Sequence, residues 1–405
     1  MKSYLAVIGS PGAWRFLVPA FVARLPYAML QLGVLLLVQW STGSYGEAGL
    51  AAAAAAVAQA LVGPQTGRLA DRYGQSKVLV PQVVAHAAAL GALLALALSH
   101  APIAVLAALA ALAGATVPQV GSMVRARWAH LLGGSGRLGT AFAVESITDE
   151  LTFTLAPVLL VTVSTRFSPA WALLVALIMV VTGTLVFAGV RRGAPDPVPV
   201  RVRSRRGVLR LRGVAVLAVA FASLGTVFGS LQIGITSYTA AHGQAASAGP
   251  IYAAFSGASL VGGVVYGIVR WRVTAPARLL GAVGLLCAAT ATLTFAGSIP
   301  LLYGGAALAG LAIAPAIITG YTLVETLVPA RVRTETFTWL SGSIGLGIAG
   351  GASVAGQLVD RFGAPMAFLV PPITTGLAAL LVLVFLSRLH PGTGQPSPHR
   401  LAATP

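Results

Sequence analysis

The chain has 405 residues, 57% of them hydrophobic and only 9% charged, where a soluble domain carries roughly 25% charged residues. That inventory cannot clothe a surface in water, so a soluble globular protein is excluded. The net charge of +17 would suit a nucleic-acid ligand, but its distribution along the chain is that of a membrane topology signal, and no nucleic-acid partner is expected.

Apolar segments run at 14–39, 47–66, 78–98, 102–124, 138–164, 169–190, 213–238, 249–269, 279–297, 300–323, 335–359 and 364–387. They have the length needed to cross a hydrocarbon core of ~30 Å. In lipid the backbone must satisfy its own hydrogen bonds, as a helix or a closed barrel. These segments are too long and too evenly apolar for the alternation of barrel strands. The expectation is an all-α membrane protein with twelve spanning helices. With the N-terminus in the cytoplasm, 23 of the 26 Lys and Arg residues fall on the cytoplasmic side. Arg166 and Arg361 fall outside, and Arg24 lies within the first segment. This positive-inside bias places both termini in the cytoplasm of a cell-membrane protein. The first apolar run is too long for a signal-peptide core and is read as a span. A single cysteine, Cys287, excludes an internal disulfide and a Cys-built metal site. No metal or cofactor is expected.

Between the second and third segments lies "GRLADRYGQSK", Gly67–Lys77. Gly67 and Gly74 would permit a tight reversal, and Asp71 could cap the following segment or pair with Arg72 or a basic neighbour. The stretch resembles the major facilitator superfamily signature Gly-x-Leu-Ala-Asp-Arg-x-Gly-Arg-Lys. Gly67, Leu69, Ala70, Asp71, Arg72 and Gly74 are in register, while Gln75 and Ser76 replace the usual basic pair and Lys77 comes one step late. The resemblance covers residues 14–387. It implies the MFS fold, two six-helix bundles around a central cavity that opens alternately to either side by a rocker switch. It also makes Gly67, Asp71, Arg72 and Gly74 gate residues, with Asp71 reaching the eleventh helix. The corresponding loop "YGIVRWRV" lacks the acid, so the latch is expected to be one-sided. The excess of Arg over Lys, with abundant Ala and Gly, resembles actinobacterial members.

The Arg- and Pro-rich stretch from Arg191 to Gly213 divides the chain near its middle. The expected organisation is an N-terminal bundle at 1–190, a basic cytoplasmic linker at 191–212, a C-terminal bundle at 213–387 and a tail at 388–405. A faint repeat at an offset of 195 sets Phe142 against Phe337, Ser146 against Ser341, Arg166 against Arg361 and Phe167 against Phe362. Two such halves are one known transporter plan. The second segment is nearly all alanine from Ala51 to Ala60, and the eleventh carries Gly347 and Gly351. Small residues permit close helix approach, and the family packs these two helices across the interface between halves.

The nine acidic residues are Glu47, Asp71, Glu145, Asp149, Glu150, Asp196, Glu325, Glu335 and Asp360. Three fall in "AVESITDELTF" of the fifth segment. A carboxylate at membrane depth is costly unless paired, hydrated or protonated, and so marks a functional site. Glu145 and Asp149 are four apart and share a helix face; Glu150 points about 100° away. Counted from the cytoplasmic side at 1.5 Å per residue, Arg24 lies ~15 Å deep, Glu145 ~11 Å and Asp149 ~17 Å. Arg24 is expected to pair with Glu145 or Asp149, leaving one carboxylate to carry a proton; a permanent structural cluster is the competing reading. Arg125 near the end of the fourth segment loosely matches an arginine of the family's proton site, with a topology role as the other reading. Glu325 and Glu335 are expected to pair locally with Arg331 or Arg333.

In the family the cavity is lined mainly by helices one, four, seven and ten. That implies Tyr27, Gln31, Gln119, Phe228, Gln232, Tyr252, Tyr321 and Trp339 as lining groups. An apolar wall with sparse amides suits a hydrophobic or amphipathic ligand. The leading reading is therefore a proton-coupled exporter of a small hydrophobic or amphipathic compound, acting as a monomer. The glycines of the antiporter signature are missing around Pro157, with Ala156 where one is expected, which counts against antiport. The alternatives are proton-coupled import of a small metabolite and a non-transporting receptor or scaffold. An enzyme is not expected, since no HExxH, GxSxG or P-loop is present.

Overall fold

A computed structural model of the chain describes residues 2–10, 12–197, 208–211, 213–269 and 271–389. Residues 198–207 and 212 of the expected linker, and most of the expected tail, lie outside the described residues. Among the described residues there are twelve helical spans long and apolar enough to cross a membrane, and no strands. They follow a short helix α1 (Lys2–Ile8), and the fourth is broken in two. The first six are α2 (Ala13–Thr42), α3 (Tyr45–Tyr73), α4 (Gln75–Leu98), α5 (Ile103–Thr116) with α6 (Val120–Leu132), α7 (Leu138–Arg166) and α8 (Pro169–Gly189). The last six are α9 (Val214–Ala241), α10 (Ala248–Ile268), α11 (Ala275–Leu293), α12 (Ile299–Leu327), α13 (Arg333–Phe362) and α14 (Val370–Val384). An even number of spans leaves both ends on one side, called here the basic side because most Lys and Arg residues fall there.

Local sequence explains the element ends. The Ser44 hydroxyl accepts from the Glu47 N–H at 3.3 Å and caps α3. Ser168 caps α8 in the same way, with Pro169 opening the helix, where its missing N–H costs nothing. Gly74 alone joins α3 to α4, at φ +92°, a conformation L side chains avoid. The reversal therefore needs one glycine. Gly67 lies inside α3, which runs through Asp71 and Arg72 rather than ending at 66. Its role is proximity: a methyl there would lie 2.7 Å from Thr338 Oγ1 and 3.0 Å from Glu335 Cα of α13.

The fourth span departs furthest from expectation. Pro118 disfavours helical geometry at the residue before it, and Val117 is extended (φ −59°, ψ 128°). The helix restarts at Val120 and continues eight residues past the expected end at 124. Arg125 and Arg127 are consequently buried in a helix rather than placed in a basic loop.

The glycines of α13 also serve a different neighbour from the one expected. Gly347 and Gly351 face α9 at Gly225 and Thr226, and Gly229 of α9 in turn faces Ile348 and Ala352. A methyl on Gly351 would sit 2.7 Å from Thr226 Cα, and one on Gly225 would sit 2.9 Å from Gly347 Cα. Ala55 of the alanine run packs on Gly114 of α5. Gly347 and Gly351 thus join α13 to α9 within one set of six spans, while other small residues pack α3 on α13 as expected, Gly342 lying against the Ala60 carbonyl and Gly63 and Gly67 against Thr338. The two sets meet through α3 on α13, α7 on α10 and α12, and α6 on α13.

Candidate functional site: a charged central cavity

Three helix faces converge on one cavity of about 210 Å³. Arg24, Tyr27 and Gln31 recur at helical spacing on α2; Gly121 and Arg125 lie one turn apart on α6; Asp149, Thr152 and Phe153 lie on one side of α7. Gln59 of α3 and Gln119 at the break in the fourth span add two amides. The opposite wall comes from Tyr321 of α12 and from Ser341, Ile344, Gly345, Ile348 and Ala349 of α13. One wall is polar and charged, the other mainly apolar.

The charges form one network. Arg24 Nη2 bonds to Glu145 Oε2 and also donates to the Gly121 carbonyl at 3.3 Å. Arg24 Nη1 lies 3.6 Å from Asp149 Oδ1, and Asp149 Oδ2 bonds to Arg125 Nη2. These are the three ion pairs among the described residues. Glu145 is fully buried and takes a further bond from the Trp128 indole N–H at 3.0 Å. The Asp149 side chain is 31% exposed and faces the cavity. Arg125 lies over the Tyr321 ring at 4.2 Å, and the Tyr321 hydroxyl meets Ser341 Oγ at 2.9 Å. Arg24 therefore pairs with both carboxylates offered to it by the sequence. Arg125 is 4% exposed and belongs to the network, not to a topology signal at the membrane surface.

Several expected members fall elsewhere. Glu150 is turned out of the network, and its Oε1 accepts from Ser259 Oγ of α10 at 2.5 Å. Of the eight expected lining groups, Tyr27, Gln31, Gln119 and Tyr321 line the cavity. Phe228 packs edge-on against Phe255, Tyr252 lies against the same ring, Gln232 is exposed, and Trp339 packs on the core. Neither α9 nor α10 contributes a residue to the cavity, which removes Phe228, Gln232 and Tyr252 together, while Trp339 lies on another face of the lining helix α13. Gln59, Trp128 and Arg127 were not foreseen. The i, i+4, i+7 spacing of Gly121, Arg125 and Trp128 would have grouped the site's α6 residues on one face.

Below the cavity the basic side is shut. Phe142 of α7, Phe221 of α9, Tyr321 and Phe337 of α13 stack edge to face or tilted, with centroids 4.9–6.3 Å apart. Asp71 accepts the backbone N–H groups of Thr334 at 3.2 Å and Glu335 at 2.9 Å, at the start of α13. It caps a helix of the other set of spans rather than pairing with a cation. Arg72 is exposed over Tyr73 and takes no part in that contact. Glu325 does not pair with a side chain either: its Oε1 accepts from the Gly134 N–H at 2.8 Å, while Arg333 donates to the Glu325 and Ala129 carbonyls. Carboxylates of both sets of spans thus reach across, which corrects the expected one-sided latch. Glu335 forms no ion pair among the described residues. Tyr4 of α1 adds a strap, donating towards the carbonyls of Gly263 and Val264 at 3.2 and 3.0 Å. Burial pushes its phenol up to about 12, so it stays a donor at any physiological pH.

Gln75, the first departure from the signature, has its own partner. Its Oε1 accepts from Arg127 Nε at 2.8 Å, and its amide donates to the Met123 carbonyl at 3.0 Å. Arg127 is fully buried with its guanidinium 3.9 Å from the Phe187 ring, and it forms no ion pair among the described residues.

The family model for the Major Facilitator Superfamily matches residues 5–290 and 270–405. The chain belongs to the Major Facilitator Superfamily. Solved structures of MFS transporters share its fold. A bacterial homologue of the iron transporter ferroportin, in an outward-facing state, superposes with a TM-score of 0.78 at 16% identity, covering 92% of this chain and 98% of that one. The human organic anion transporter MFSD10 gives 0.67 at 19% identity, covering 94% and 100%. The proton:xylose symporter XylE gives 0.70 at 12% identity, covering 92% and 95%. No curated protein matches by sequence. Within this MFS fold the cavity lies between the two sets of six spans and is closed on the basic side.

Proposed function

We propose that this MFS protein is a proton-coupled secondary transporter of a small amphipathic compound, working by rocker-switch alternating access. A single chain supplies both walls of the cavity, so the working unit is taken to be the monomer. The distribution of Lys and Arg supports a cell-membrane location with the basic side and both termini in the cytoplasm. The closed side is then the cytoplasmic one.

One observation carries the reading. Asp149 is the carboxylate that both lines the cavity and touches Arg24 and Arg125. A proton arriving through the cavity can reach it, and its protonation would loosen two guanidiniums at the substrate's own position. A scaffold gains nothing from such an arrangement, and nothing in it suggests catalysis.

Export was the direction favoured by a sparse apolar wall. The polar wall of Gln31, Gln59, Gln119, Tyr27 and two arginines favours the second reading, uptake of a small metabolite, because it offers far more hydrogen-bonding groups than export of a lipophile requires.

The test is growth of an efflux-deficient bacterium across a panel of toxic compounds and sole carbon sources, with wild type or Asp149→Asn at matched expression. A phenotype that depends on Asp149 supports coupled transport, and its sign gives the direction. Equal phenotypes in both forms would remove Asp149 from the mechanism.

A further inference from the structure

The charges around Asp149 are balanced. Two guanidiniums, Arg24 and Arg125, share two carboxylates. Glu145 is sealed away from the cavity, held by Arg24 and Trp128. Asp149 occupies the cavity face of both arginines. The Nε atoms of Arg24 and Arg125 are buried without a hydrogen-bond partner, and both side chains are about nineteen-twentieths buried. With Asp149 ionised the four groups sum to zero. With Asp149 protonated they sum to +1, and the two guanidiniums lose the acceptor that joined them. An uncompensated cation in a membrane cavity is costly.

From this geometry we propose that the substrate is a small amphipathic monoanion, of the carboxylate class, which takes the place of Asp149 across Arg24 and Arg125 when Asp149 is protonated. The seat is set by a carboxylate, and the charge count admits one negative charge. A cation would face two arginines, a dianion would overshoot to −1, and a neutral compound would leave +1. The hydrocarbon part of the anion meets Ile344 and Ile348 on the far wall and Phe153 of α7. Anion and proton then occupy the cavity together, so each cycle moves no net charge and the inward proton gradient drives uptake.

The other groups facing Asp149 are compatible with this exchange. Helix α2 presents Arg24 and Tyr27, α6 presents Arg125, and α12 presents Tyr321. From its own helix come Glu145 and Glu150, and Tyr252 of α10 stands by Glu150. Helix α13 presents the neutral Ser341. No other cation among these groups competes for the anion.

The inference rests on the reading of Asp149 as the coupling group, and calorimetry separates the two. The full chain, purified in detergent, is titrated with benzoate and hexanoate and with their neutral amides and amine analogues. Titrations near pH 7 in buffers of different ionisation enthalpy count the protons taken up per ligand bound. The expected result is about one proton taken up per carboxylate by wild type. Asp149→Asn should bind the same carboxylates at least tenfold more tightly with no proton uptake, and the amides and amines should bind neither form measurably. Asp149→Ser serves as a second neutral variant should the first not fold. Amides binding with the same proton uptake would keep Asp149 as coupling group and overturn the anion. Carboxylates binding equally to both forms without protons would overturn both readings. No carboxylate binding by any form would overturn the proposal.

Discussion

Phe142 and Phe337 stand 195 residues apart, and their rings meet edge to face with centroids 5.8 Å apart and planes inclined at 72°. They are one of the four pairs matched by the sequence repeat. Matching positions of two units related by a two-fold can touch only beside the axis. The pair thus lies where such an axis would run, between the cavity and the basic side, and both side chains are buried.

Removing one ring should open that seal. Phe142→Ala is expected to lower stability by about 3–5 kcal/mol and to let a water-soluble thiol reagent reach Ser341→Cys from the basic side, in a background with Cys287 replaced. Phe142→Leu should retain most of both properties. Thermal melting and labelling in oriented vesicles measure the two effects.

Asp71 holds α13 through two backbone N–H groups, and hydrogen bonds to a charged group contribute roughly 1.5–3 kcal/mol each. Asp71→Asn removes the charge and should shift the balance toward opening on the basic side by about tenfold or more. The same labelling at Ser341→Cys should rise accordingly. Arg72→Ala should leave labelling unchanged, since Arg72 makes no contact across the interface.

The latch was partly legible in the sequence and partly not. The signature located Asp71, but no sequence pattern tells a carboxylate capping a distant helix from one paired with a nearby arginine. The four-residue spacing of Glu145 and Asp149 and the depth of Arg24 gave the core of the network, because helix rise fixes depth. Which helices reach the cavity, and with which face, is set by packing: α9 and α10 do not line it, so Phe228, Gln232 and Tyr252 lie elsewhere, and α13 turns Ser341 rather than Trp339 toward it. The sequence leaves Arg125 open between a proton-site and a topology role and counts Arg127 among the cytoplasmic charges, because the break at Pro118 and the restart at Val120, which lengthen the fourth span, are not legible from hydropathy.

Glu145 is the buried anchor of the network. Glu145→Gln would leave Arg24 without its closest counter-charge and should destabilise by about 3–5 kcal/mol, seen as a lower melting temperature and poor expression. Glu150→Gln keeps a hydrogen-bonding group toward Ser259 and should cost less than about 1.5 kcal/mol.

Gln75 faces a buried arginine that lacks an anion. Gln75→Glu would place a carboxylate against Arg127 and is expected to raise the melting temperature by about 2–4 °C. A fall of that size would mean that burying the new charge outweighs its pairing.

At Gly225 a methyl group would meet the backbone of α13, so Gly225→Ala should cost about 1–3 kcal/mol by overpacking. Gly350, beside which there is open space, should accept alanine with little change. Melting temperatures of the two variants make the comparison.

The interlocked glycines of α9 and α13 also set an order for biogenesis. Gly225 and Gly347 are separated by 122 residues, which at 5–20 residues per second takes roughly 6–24 s to synthesise. During that interval α9 has entered the bilayer with its bare backbone face against lipid, while α10, α11 and α12 are still being inserted. The last six spans can close into a bundle only after the eleventh has left the ribosome. Nascent chains stopped before Gly351 should therefore be sensitive to protease, and full-length chains resistant.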